Sequence, residues 1–475
     1  MRAVCIPLLA SVLSIVSGCE NRLCSFSHYS DSDGCAAGDL NLSVKALQSR
    51  TDVRDKQPLP LQVKVRGTAG PREYWLASPG TVKLGVDGGE LAEAKVVLSE
   101  DRQGREQTLQ VQRDPDPLRP GPLRLQVTVG DLAPVELDPR SHRVFRSPRF
   151  DAASKTALIK GSNPHRGGTV QGRITVQVAA PFSGSAPGLL TTELANTLIG
   201  AVRWLELFGR APTGAGLDYS DSASWKALQL KMQESDTALL ATTKEILIIY
   251  DLDSASGRYD LSMIPYYGTR QSKLSAKEPL IPTQATALAA CAEEAVLAIA
   301  GSGEVRFFAI DPTQSKVVRP LGTRAVPGVA APVLAMRDIA GAMPQQPSQK
   351  YIAAVADGQG QISLIPLIGT GTSAMLDLGG VLTVQRNGPD RVLALADLDS
   401  DGLQDLVFVA SDGHLGWLPQ EPNGTFPSAL DLGLSIPDAA SLSVGDLNGD
   451  EVPDLAVATT VGAGGNVTVF WNQGS

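Results

Sequence analysis

Histidine is nearly absent from this chain of 475 residues, with 4 copies, and cysteine (5), tryptophan (5) and methionine (6) are hardly commoner. His28, His142, His165 and His414 lie in unrelated contexts, so no pair is spaced to share a metal or a proton. There is no G-x-S-x-G, no H-E-x-x-H and no phosphate-binding glycine loop, and no catalysis is expected. Lys and Arg number 41 against 50 Asp and Glu, a net charge of −9. A nucleic-acid partner needs clustered positive charge, and that balance argues against one. Long hydrophobic runs are also missing. The stretch Ile6 to Val16 is too brief to cross a bilayer as a helix and reads as a signal segment.

Turn formers are plentiful instead, with Gly 47 and Pro 32 between many short Val, Leu and Ile runs. Such punctuation points to strands joined by turns, and the length to several all-β domains. Two acidic turns near the C-terminus carry the chemistry. The first runs Asp397-Leu398-Asp399-Ser400-Asp401-Gly402-Leu403-Gln404-Asp405. The second, 49 residues later, runs Asp446-Leu447-Asn448-Gly449-Asp450-Glu451-Val452-Pro453-Asp454.

Oxygen donors at every second position of a tight turn can converge on one hard cation. In the first turn the side chains of Asp397, Asp399, Asp401 and Asp405 are the candidates, with the carbonyl of Leu403 as a fifth donor. In the second they are Asp446, Asn448, Asp450 and Asp454, with the carbonyl of Val452. Gly402 permits a reversal at a position where the second turn has Glu451. A positive φ there would strain a non-glycine residue by roughly 1 kcal/mol or more, so the second site is expected to be the weaker. Each turn lies between apolar runs, strand–turn–strand, unlike the helix-flanked twelve-residue EF-hand loop.

At residues 388–475 the sequence resembles the FG-GAP/VCBS repeats of integrin alpha-chain propellers and many bacterial surface proteins. Asn423-Gly424-Thr425-Phe426 is similar to the ending of such repeats. The resemblance implies a β-propeller with structural calcium, and Ca2+ as the only cofactor.

A two-strand pattern recurs upstream: Ala238–Ala241 with Ile246–Tyr250, Val296–Ala300 with Val305–Phe308, Ile352–Ala356 with Ile362–Ile365, Leu406–Ala410 with Leu415–Leu418, and Leu455–Ala458 with Val467–Phe470. Their spacing of about 45 to 60 residues suits one four-stranded blade each. The span 141–475 then accommodates seven blades, the number in the alpha-chain relatives. Closing the ring would take an outer strand from upstream, for which Ile174 to Val178 is the candidate. Leu190, Leu194, Leu198, Val202 and Leu205 recur near helical spacing and favour an amphipathic helix over two strands. Asp338 stands where the third unit would have its first ligand, in a degenerate turn. Asp251 to Asp260 resembles the acidic turns but has one residue too many, and reads as a turn between blades.

The remaining domains follow from pattern. Val16-Ser17-Gly18-Cys19 resembles the bacterial lipobox, which implies residues 1–18 as a lipoprotein signal and Cys19 as the acylated N-terminus. Residues 19–58 read as a polar tether. Within it Cys24 and Cys35 bracket a short polar loop and suit a disulfide outside the cytoplasm better than a zinc pair, since only His28 is nearby. Residues 59–140 alternate apolar and polar positions, as in a β-sandwich-like domain. Cys291 reads as a buried small apolar residue.

The function expected is a lipid-anchored scaffold of the bacterial cell envelope, at the outer membrane, binding or adhering to a protein or glycan. Two alternatives stand beside it: a propeller lipoprotein resembling the outer-membrane barrel-assembly factor, and an accessory domain of a carbohydrate-active enzyme.

Overall fold

The computed structural model describes residues 40–55, 57–67, 73–74, 81–86, 92–98, 107–112, 119–128, 133–138, 141–158, 170–179, 188–197, 200–210, 217–219, 237–242, 246–253, 258–265, 285–291, 295–311, 316–326, 333–339, 350–357, 359–368, 375–377, 381–386, 388–461 and 464–473. Every regular element among them is a β-strand. Among the described residues no helix is long and apolar enough to cross a membrane. The chain divides into two compact units, Met1–Arg146 and Ser147–Ser475.

In the first unit, period-two alternation buries one side of each strand. Gly121–Thr128 alternates buried and half-buried positions along its whole length, turning Leu123, Leu125 and Val127 inward. Ala92–Leu98 pairs through its first half with Thr81–Val86 and through its second with Gln107–Gln112. It thus joins two groups of strands whose inner residues, Leu59, Leu61, Val63, Leu109 and Val111 on one side and Val82, Leu123, Leu125 and Val127 on the other, form one core.

Part of the expected tether belongs to this sheet. Leu40–Ala46 pairs with Leu59–Gly67, and Arg50–Asp52 lies parallel to Arg143–Phe145. Its polar wet face, Ser43 and Lys45, disguised the inward Leu42, Val44 and Ala46.

The second unit contains six sheets among the described residues. Their innermost strands are Val170–Ala179, Thr237–Thr242, Ala287–Cys291, Val333–Ile339, Asp390–Ala396 and Ala439–Gly445. Each neighbours the next, and the last neighbours the first, so the described residues form a closed ring of six sheets, beside the seven blades that the length of the span suggested. Two readings of the strand pattern differ from the structure. Gly188–Thr197 and Gly200–Arg210 are two antiparallel strands of blade 1, in place of the expected helix. Apolar residues four apart share a helix face, but four is also a multiple of two, so they share a strand face as well. In blade 2, Thr237–Thr242 is the innermost strand, so that unit had been matched one strand out of phase.

An upstream strand does close the ring, but it is Phe150–Leu158, paired with Gly464–Asn472 on the outside of blade 6. Ile174 to Val178 lies in the innermost strand of blade 1.

Blades pack face to face, so their strands are buried on both sides. In blade 5, Val392, Ala394, Ala396, Val407 and Val409 join the core shared with blade 6, whereas Leu393, Leu395, Leu406 and Phe408 join the core shared with blade 4. Continuous apolar runs such as Val392–Ala396 follow from that double burial.

A polar pair is buried between blades 4 and 5. Arg386 and Asp390 form an ion pair, with side chains 6% and 0% exposed, and the guanidinium stacks 3.6 Å from the Phe408 ring centre. Burial pushes the Asp390 carboxyl up to about 6, which the adjacent guanidinium only partly opposes. Removing one partner of a buried pair leaves an uncompensated charge. Arg386→Met is therefore expected to destabilise the chain by about 3–5 kcal/mol in chemical denaturation. The double change Arg386→Met with Asp390→Leu should lose much less; an equal loss would mean that the charge pairing is not what matters there.

Candidate metal centre

The first acidic turn joins the two inner strands of blade 5, Asp390–Ala396 and Asp405–Ala410. Its apolar second and seventh positions anchor it, with Leu398 0% and Leu403 4% exposed. Positive φ angles at Ser400 (61°) and Gly402 (88°) turn the backbone inward. The carboxylates then bind the loop's own amides. Leu398 N–H donates to Asp405 Oδ2 (3.1 Å), Gly402 N–H to Asp397 Oδ2 (3.0 Å), Asp401 N–H to Asp399 Oδ1 (3.2 Å) and Leu403 N–H to Asp401 Oδ1 (2.8 Å).

Carboxylate oxygens of Asp397, Asp399 and Asp405 lie within 4.8 Å of one another, whereas Asp401 stands outside that group. Asp399, Asp401 and Asp405 are fully buried and Asp397 is half-buried. Buried carboxylates at this separation repel strongly unless a cation or proton intervenes. The sequence after Arg391 holds 12 Asp and Glu and no Lys or Arg. An all-oxygen, acidic donor set of this kind fits a hard divalent cation such as Ca2+ and is a poor match for softer metals.

The second turn, between Ala439–Gly445 and Asp454–Val461 of blade 6, repeats these four bonds. Leu447 N–H donates to Asp454 Oδ2 (3.0 Å), Glu451 N–H to Asp446 Oδ2 (3.1 Å), Asp450 N–H to Asn448 Oδ1 (2.9 Å) and Val452 N–H to Asp450 Oδ1 (2.9 Å). Only Asp454 among its side-chain candidates is fully buried, and Asp450 is exposed. Leu447 and Val452 plug the core as Leu398 and Leu403 do.

Burial pushes the Asp454 carboxyl up to about 7, helped by the charges of Asp450 and Asp446 and opposed by its two backbone hydrogen bonds. A carboxyl raised in the fold favours folding while protonated. With no cation bound, its contribution is therefore whole below about pH 4 and is lost as pH rises through about 7.

Two residues of this arrangement gave no sequence signal. Gln420 N–H donates to Asp405 Oδ1 and Asn472 N–H to Asp454 Oδ1, both at 2.9 Å. Each ends the apolar run after its turn, Leu415–Leu418 and Val467–Trp471, and acts through a backbone amide that any residue but proline offers. Of the other candidates, Asp338 lies within the strand Val333–Ile339, not in a turn. Asp251–Asp253 ends a strand paired with Arg258–Pro265 of the same blade, so that turn is an intra-blade hairpin. Cys291 is buried, while Cys19, Cys24 and Cys35 lie outside the described residues.

Residues 397–457 match the FG-GAP-like repeat family. The match begins on the first aspartate of one turn and ends in the strand after the other, so it frames one turn-to-turn period of the ring. No curated protein matches the chain in sequence. Among solved structures it is similar to the six-bladed propeller lectin of Aleuria aurantia (TM-score 0.39, 10% identity, 65% of this chain and 97% of that one). It is also similar to AofleA from Arthrobotrys oligospora (0.39, 11%, 68% and 89%) and to the WD40 repeats of RRP9 (0.31, 12%, 69% and 100%).

Glu451 has φ 65°, in the left-handed region expected to strain it. Glu451→Gly is expected to relieve about 1 kcal/mol of that strain and raise the thermal midpoint in the absence of cation. An unchanged or lower midpoint would show that the turn holds Glu451 without strain.

Proposed function

We propose that the chain is a ligand-binding scaffold: a propeller whose last two blades are stiffened by calcium at the two acidic turns, with surface loops recognising a protein or glycan. The observation that carries the cation reading is the burial of Asp399, Asp401 and Asp405 in one turn, in a stretch without Lys or Arg. Asp397, Asp399 and Asp405 would hold the ion in blade 5, with Asp401 and the Leu403 carbonyl completing the set; Asp446, Asn448, Asp450, Asp454 and the Val452 carbonyl would hold the second. The bound ion would neutralise the carboxylates and lock the turn. Its role is structural, since a carboxylate saturated by calcium is a poor proton carrier, and recognition rather than catalysis is the activity this arrangement supports. Fold class alone does not name a ligand.

Calorimetric titration of calcium into chelator-treated protein is expected to show two binding events and a raised thermal midpoint. Asp399→Ala should remove the tighter event and Asp454→Ala the weaker. Absence of both heat and thermal shift would reduce the turns to acidic connections and end this reading.

The cell-envelope location, at the outer membrane through a lipid on Cys19, belongs to the same proposal and rests on the segment Val16–Cys19. Detergent-phase partitioning checks it separately: the native chain should enter the detergent phase and Cys19→Ser should not, and equal partitioning would remove the anchor.

A further inference from the structure

Blades 5 and 6 differ at one bond that the sequence explains. In blade 5, Gln404 N–H donates to the Gln420 side-chain oxygen at 3.1 Å. The counterpart of Gln404 in the second turn is Pro453, which has no N–H to give. Asn472, the counterpart of Gln420, therefore turns its amide the other way. Its Nδ2 donates to the Pro453 carbonyl at 3.1 Å, and its Oδ1 accepts the N–H of Arg149 at 2.9 Å. Donor and acceptor character of the two partners fixes that orientation.

Arg149 immediately precedes the closing strand Phe150–Leu158, and its own carbonyl accepts Gln473 N–H at 2.8 Å. Asn472 is 3% exposed. One buried residue thus holds the last carboxylate of the acidic turn, the carbonyl before it, and the start of a strand 323 positions away in sequence.

We propose that Asn472 is a clasp coupling cation occupancy of the second turn to closure of the propeller ring; this rests on the calcium reading of that turn. A cation that fixes Asp454 and the Pro453 peptide fixes both groups that orient Asn472, and with it the acceptor for Arg149. In the stripped turn, the repelling carboxylates loosen the same two groups. Among the described residues Phe150–Leu158 is hydrogen-bonded to one strand, Gly464–Asn472, and its register breaks between Phe150 and Lys155, next to the Arg149 N–H that Asn472 holds. Linkage makes the effect reciprocal: closure tightens cation binding at the second turn and leaves the first unaffected.

The test is amide hydrogen exchange along Phe150–Leu158 in chelator and in calcium, with calorimetric titration of the same samples. In the native chain calcium should slow that exchange at least about tenfold, within the usual range of coupling between sites. Asn472→Ala should lose most of this slowing while exchange in Asp405–Ala410 of blade 5 still responds. Arg149→Pro removes the N–H that Asn472 accepts, along with the exposed Arg149 side chain and some backbone freedom, leaves every group of the turn in place, and serves where Asn472→Ala fails to fold, with Arg149→Ala as the control for the lost side chain. It should bind calcium more weakly at the second turn alone. Equal slowing in native and variant chains, or binding at the second turn with no slowing in the native chain, overturns the coupling. Titration that shows no binding at that turn also overturns it, and marks the failure as one of the calcium reading rather than of the clasp.

Discussion

Like charges forced together in a dry place are the constraint on which the C-terminal half of this ring depends. Asp399, Asp401 and Asp405 are removed from water by Leu398 and Leu403, which plug the core on either side. Backbone amides of the turn satisfy some of their oxygens but cannot cancel their charge. In the proposed reading a hard cation would answer the repulsion and the geometry together. In the second turn the same backbone pattern is built with fewer buried carboxylates, a neutral Asn448 and a strained Glu451. On the proposed reading, the second turn would hold an ion more weakly than the first.

The rest of the propeller rests on apolar burial from both sides of each sheet. Leu395 faces blade 4 while Ala394 and Ala396, its neighbours in sequence, face blade 6. This stacking packs the strands that flank each turn on both faces, while the outer closing strand is hydrogen-bonded to one strand among the described residues and has a broken register. Asn472 is hydrogen-bonded to both the turn and the residue before that strand.

The acidic turns and their flanking strands were legible because each needs particular side chains: oxygens at alternate positions, and apolar residues without interruption in a strand buried on both faces. The closing strand was not. Phe150-Asp-Ala-Ala-Ser-Lys-Thr-Ala-Leu158 is an outer strand that needs little hydrophobicity, and nothing in Asp151 to Thr156 marks it as β. Leu190 to Val202 misled because a spacing of four suits helix and strand alike. Gln420 and Asn472 were silent because a backbone N–H carries no signature; only the Pro453–Asn472 pairing, read against Gln404–Gln420, shows afterwards why the asparagine amide turns toward Arg149.

The central claim is that the first acidic turn is a cation site. Crystals grown in calcium, with diffraction recorded for the anomalous signal of the ion, test it most directly. The account predicts an anomalous peak enclosed by the carboxylates of Asp397, Asp399 and Asp405, and a weaker one at Asp446, Asp450 and Asp454. A well-ordered turn with no peak between its carboxylates would contradict it.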